Sequence, residues 1–124
     1  MRHTVKLHGI TVGWSDLEDA EPSVGRARGT FRPGVGYDLV QPVFQLFRDA
    51  VPDRGGSVID EELLARYHRS RDALKLVLED DAGAAIGTTA IHVADYASGG
   101  STGSRELEVL IADEGYWRRR NAGA

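Results

Sequence analysis

The chain has 124 residues, 41% of them hydrophobic and 27% charged, with a formal net charge of −4. That length suits one domain spanning residues 1–124 that buries roughly two-thirds of the unfolded chain's surface, and the composition excludes wholesale disorder. The absence of cysteine excludes disulfides, thiolate metal sites and cysteine nucleophiles, while the mild acidity argues against a broad electrostatic footprint for nucleic acid.

The N-terminal stretch MRHTVKLHGITVGW lacks an apolar core of signal-peptide length. No run approaches the ~18 apolar residues of a membrane span. The expectation is a soluble, cytoplasmic protein with no membrane partner. Within this stretch Val5 and Leu7 share one parity and Ile10, Val12 and Trp14 the other. One extra residue at His8-Gly9 would produce that shift, so the pattern predicts a single bulged strand. SDLEDAEPSV is acidic, contains Pro22 and reads as a solvent-facing connection. GRARGTF alternates again, with Ala27, Gly29 and Phe31 on one side and Arg26, Arg28, Thr30 and Arg32 on the other, and is expected to pair with the first strand.

From Tyr37 to Val51 the period lengthens, placing Val40, Val43, Phe44, Phe47 and Val51 on one helical stripe. Asp38 followed by Gln41 suggests an N-cap and its reciprocal partner, with Pro42 near the first turn. After Pro52 and the turn DRGGS, a second helix is predicted from near Ser57 or Asp60, with Leu63, Leu64, Tyr67, Arg71 and Leu74 inward. KLVLEDDAGAAIGTTAIHVADY reads as two strands joined by a turn at Asp80-Asp81-Ala82-Gly83. Residues 98–104, within SGGSTGS, are flexible by composition. RELEVLIA then predicts a third strand with Leu107, Val109 and Ile111 inward. DEGYWRRRNAGA is expected to make one helical turn that docks Trp117, then fray over residues 121–124. The summed order ββααβββ, with short connections, predicts an α+β fold: a mostly antiparallel sheet of about five strands with two helices on one face.

No motif spells a reaction. Gly34-Val35-Gly36 before a helix invites an anion-binding reading, with Arg32 adding charge. The dinucleotide fingerprint, however, fails at Leu39, and no Gly-Lys-Ser/Thr follows. A turn with a cap is the simpler account. Arg26, Arg28 and Arg32 form a stripe near the expected positions of Lys6 and His8. Without interleaved aromatics it suits an acidic protein surface or a solvated face better than nucleic acid. His3, His8, His68 and His92 show no metal-ligand spacing, so neither metal nor cofactor is expected. His92 and Asp95 are separated by an odd number and face opposite sides of an extended strand, which excludes a dyad. No Gly-x-Ser-x-Gly elbow is present. Asp60, Glu61 and Glu62 open a helix, and Asp80-Asp81 belong to a turn. The leading expectation is a non-catalytic domain that binds a protein partner or its own copy, as a homo-oligomer, through the arginine stripe, Tyr116, Trp117 and an outward Leu110. The alternative is a small-ligand or anion-binding domain using Arg32, Gly34 and Gly36.

Overall fold

The structure, a computed structural model, describes residues 2–51, 59–95 and 105–122. The fold is α+β, with two antiparallel sheets and three helices where a single sheet and two helices were expected. The first sheet has the order β5-β2-β1-β6-β7 and the second β3-β4-β9-β8. The strands are β1 (His3–Leu7), β2 (Ile10–Ser15), β3 (Asp19–Glu21), β4 (Arg26–Thr30), β5 (Arg32–Pro33), β6 (Val77–Glu79), β7 (Ala85–Ile86), β8 (Thr88–Asp95) and β9 (Arg105–Ile111). The helices are α1 (Tyr37–Ala50), α2 (Glu61–Leu74) and α3 (Glu114–Ala122).

The expected single N-terminal strand is a hairpin. His8 and Gly9 both take positive φ, 48° and 83°, which suits a two-residue turn that reverses the chain. A bulge is nevertheless present one strand further on. Val5 pairs with Gly13 and Lys6 with Thr11, leaving Val12 as the extra residue. The same alternation fits either event, since both reset parity.

The acidic stretch 15–24 is not wholly a surface connection. It contains β3 and buries Leu17 completely. Accordingly β4 pairs with β3 and β9 rather than with the first strand. The chain then changes sheets at Phe31, whose amide donates to the Arg105 carbonyl at 2.9 Å, before Arg32 and Pro33 pair with Trp14 and Gly13. A second change occurs at Gly87. The Asp80 turn joins β6 to β7 as expected, and β8 then leaves for the other sheet.

Helix α1 follows its predicted stripe, burying Val40 and Phe44. The cap differs: Gly36 is the N-cap, no side chain caps the helix, and Asp38 lies exposed in the first turn. Gln41 instead reaches Asp95 at 3.4 Å. Helix α2 begins as expected at Asp60, which accepts from the Leu63 amide at 3.0 Å. The C-terminal turn extends to Ala122, so residues 121 and 122 are helical where fraying was expected. Residues 123–124 and the 98–104 loop lie outside the described residues. Tyr116 of α3 is buried against His3, and Trp117 Nε1 donates to the Ile111 carbonyl at 3.1 Å. Among the described residues no helix is long and apolar enough to cross a membrane.

One core draws on both sheets, with Val5, Val12 and Leu78 from the first and Ala27, Val93, Leu107 and Val109 from the second. It is closed by Phe31, Tyr37 and Phe44. Where the sheets meet, Gly13 has no room for a side chain. A Cβ there would lie 2.2 Å from Phe31 Cζ and 2.5 Å from the Arg32 carbonyl oxygen. Gly13→Ala is expected to destabilise the fold by ~2–3 kcal/mol, the scale of overpacking. Gly87→Ala, whose Cβ would meet nothing closer than Asp113 Cβ at 3.9 Å, should stay within ~0.5 kcal/mol of the parent. Urea denaturation of the two variants separates these outcomes.

Candidate functional site

On the face away from the core, the second sheet carries the even-numbered residues of β4, β8 and β9 and the odd-numbered ones of β3. Across the strands this gives the row Asp19, Arg28, Glu108, His92 and the row Glu21, Arg26, Leu110, Ala90. At the β8 side of this face, α1 and α2 rise above the sheet and enclose a cleft of about 480 Å³. Its floor is Ala90, His92 and Ala94 of β8 with Glu106, Glu108 and Leu110 of β9. Phe47 and Val51 form one wall, and Tyr67, His68 and Arg71 the other. Ala90 and Ala94 create the space, because a strand presenting two small residues on either side of one larger one leaves a gap beneath the helices.

The aromatic corner of the cleft is tightly held. The ring centroids of Phe47 and His92 lie 4.4 Å apart, those of Phe47 and Tyr67 5.3 Å, and those of Tyr67 and His92 5.5 Å, within the range of favourable edge contacts. The Tyr67 ring is 1% exposed, and its hydroxyl bonds His92 Nδ1. Burial pushes the Tyr67 phenol up, and Arg71 only partly offsets this. Tyr67 therefore stays protonated, and its hydroxyl is able to donate to Nδ1. Burial, with the nearby charge of Arg71 and then His68, pushes His92 down to about 4, so its ring is neutral at pH 7, and with Tyr67 as donor to Nδ1 the ring proton sits on Nε2. Among the described residues Nε2 has no hydrogen-bond partner, nor is it a sealed, unsatisfied atom. It is an N–H donor open to the cleft that His92 lines.

Arg71 is engaged. Its Nε and Nη2 donate to Asp72 Oδ1 at 3.2 and 3.1 Å, and its guanidinium carbon lies 5.5 Å from the Tyr67 ring centroid. Glu106 and Glu108 have no ion-pair partner within 4 Å among the described residues. Arg28, opposite Glu108 on the side away from the cleft, makes no such pair either.

The residues singled out from sequence are not gathered at one place. The Gly34 amide donates to the Val12 carbonyl at 2.7 Å and the Gly36 amide to the Thr11 carbonyl at 2.8 Å, so the backbone donors an anion would need are already used. Arg32 leaves the stripe with β5 and lies 3.7 Å from Asp16. Arg26 pairs with Glu21 at 2.6 Å, and Lys6 pairs with Glu79 in the other sheet, away from Arg26 and Arg28. Tyr116 is 3% exposed, not a surface anchor, and Trp117 is half-buried. Leu110 does face outward, at 38% exposure. His92 and Asp95 do point to opposite faces, His92 to the cleft and Asp95 into the core. Asp95 accepts there from the Tyr37 hydroxyl at 2.7 Å and Arg105 Nε at 3.1 Å.

No group of three or more metal-ligating side chains is assembled among the described residues. No protein-family model matches the chain, and no curated protein or solved structure shows significant similarity to it.

A histidine held neutral by burial makes stability depend on pH. Its folded pKa of about 4 lies below the unfolded value near 6.5, so the unfolded chain binds more protons between the two. Stability is therefore complete above about pH 6.5 and falls as pH drops toward 4. The loss attributable to His92 should be roughly 2–3 kcal/mol after allowance for its partial exposure. His92→Gln should flatten that window, and urea denaturation at pH 7 and pH 4.5 measures the difference.

Proposed function

We propose that this protein is a small-molecule binding domain whose ligand occupies the cleft between the α1–α2 pair and the outer face of β8 and β9. The observation that carries this reading is the cleft itself. Its 480 Å³ falls in the ~300–1,000 Å³ range of small-ligand sites, and such sites combine aromatic walls with a few fixed polar groups. Phe47 and Tyr67 supply the walls, while His92 Nε2–H, Glu106 and Glu108 supply polar groups of both kinds. With Tyr67 donating to Nδ1, His92 presents Nε2–H to the cleft as a preorganised donor.

Binding without chemistry suits this arrangement better than catalysis. A general base needs an unprotonated nitrogen facing its substrate, and in His92 the unprotonated nitrogen is the one that Tyr67 occupies. Association with a protein partner or a second copy draws support from Leu110, exposed within the charged face. Tyr116, however, lies buried and is lost as an interface anchor.

A fragment screen by backbone amide NMR tests the ligand reading. Binders are expected to shift the amides of Ala90, His92, Ala94 and Glu108 together. Ala94→Leu, which fills the floor, should abolish those shifts and leave the fold at least as stable as the parent. Fragments that perturb no cleft residue, or shifts that survive Ala94→Leu, contradict the reading.

A further inference from the structure

We infer that the cleft selects organic cations: an ammonium group seated against Glu106 and Glu108, with an apolar body lying against Phe47 and Tyr67. This rests on the ligand-binding reading above and adds the charge of the ligand.

The charge balance at the cleft carries the inference. Glu106 and Glu108 are alternate residues on one face of β9 and pair across the ladder with Ala94 and His92 of β8. Their carboxylates thus stand on the floor about 7 Å apart along the strand. Each is partly exposed, and neither has an ion-pair partner within 4 Å among the described residues. Among the described residues the one cation in the cleft wall, Arg71, is ion-paired with Asp72 and lies over the Tyr67 ring, so two carboxylates stand against a single, already paired guanidinium. His92, with its Nδ1 held by Tyr67, contributes a donor and no charge near neutral pH. On the neighbouring strand Arg28 stands opposite Glu108 and Arg26 interacts with it electrostatically, but neither lines the cleft; Asp19 stands opposite Arg28 on the far side, and Glu21 pairs with Arg26 at 2.6 Å. The cleft therefore keeps an excess of negative charge beside an aromatic wall. That combination recognises an amine, with carboxylates as hydrogen-bond acceptors and ring faces favouring a nearby cation. An anionic ligand would meet two carboxylates that have no ion-pair partner among the described residues.

The test compares three probes sharing one indole body: tryptamine, tryptophol and indole-3-acetate, titrated into the whole protein at pH 7 by calorimetry or NMR. Tryptamine is expected to bind at least tenfold more tightly than tryptophol, and indole-3-acetate more weakly than either. The tryptamine preference should shrink as salt rises from 0.02 to 0.5 M. It should vanish in the double variant Glu106→Gln with Glu108→Gln, in which tryptamine and tryptophol are expected to bind equally; thermal melting verifies that this variant folds. Equal affinities, a preference for the anion, or an amine preference that survives the double variant overturns the inference. Tryptophol binding that is lost in Ala94→Leu while no amine preference exists leaves the cleft standing and removes only the charge selectivity. Failure of all three probes to bind overturns the selectivity, and the fragment screen then decides the cleft separately.

Discussion

The register between β8 and β9 is the constraint from which both the core and the cleft follow. Ile91 faces Val109 and Val93 faces Leu107 inside, while His92 faces Glu108 and Ala94 faces Glu106 outside. Because side chains alternate strictly along a strand, filling the interior with the odd residues commits the even ones to the opposite face. A slip of one residue would drive two carboxylates and an imidazole into the hydrophobic interior at a cost of several kcal/mol for each unpaired charge. Asp95 is the exception that tests this logic, since it belongs to the inward set. It is tolerated because Tyr37 and Arg105 meet its carboxylate, as buried polar groups require. The outward row is thus a consequence of the core, and a reliable one.

The aromatic seam between the helices gives the cleft its stiffness. Phe44 and Phe47 of α1 meet Tyr67 of α2, and Phe47 and Tyr67 also touch His92 on the sheet. Tyr67 brings a hydroxyl into this packing, and a buried hydroxyl without a partner is costly. His92 Nδ1 supplies the partner. A demand created in the core is therefore met by a residue of the cleft, and the same bond that stabilises α2 against the sheet dictates which nitrogen of His92 faces outward. Shape and chemistry at the site are coupled to helix packing, so a ligand meets a surface that needs little rearrangement.

The elements were more legible in the sequence than their partners. Helical period and the Asp60 cap located α1 and α2, alternation located β4 and β9 with the correct faces inward, and the turn at Asp80 marked the strands that follow it, because burial imposes its period locally. Sheet membership was not legible. The switches at Phe31 and Gly87 depend on which strands lie adjacent in space, and a parity reset reads the same whether a turn or a bulge produces it. The glycine pair before α1 drew attention as a cradle because glycine marks both turns and anion sites. Only tertiary structure reveals that Val12 and Thr11 carbonyls occupy those amides. The cleft had a faint signal in the alternation Ala90, His92, Ala94, small-polar-small on the outward parity of a strand. Its meaning depended on α2 lying above it, which periodicity within β8 does not contain.

That alternation also favours the proposed site over an accident of packing. Alanine is a poor strand residue, disfavoured relative to the β-branched types, and here two alanines lie beneath helices that larger side chains would contact. Leucine at either position would remove further apolar area from water, at roughly 0.8 kcal/mol for each buried methylene. The chain forgoes that stabilisation at two positions of one strand face, with an imidazole donor between them and two unpaired carboxylates across the ladder. A fold optimised for stability alone would close this space. One that leaves it open, walls it with aromatic rings and holds an imidazole at its floor fits the proposed site, since stability is commonly exchanged for the capacity to bind.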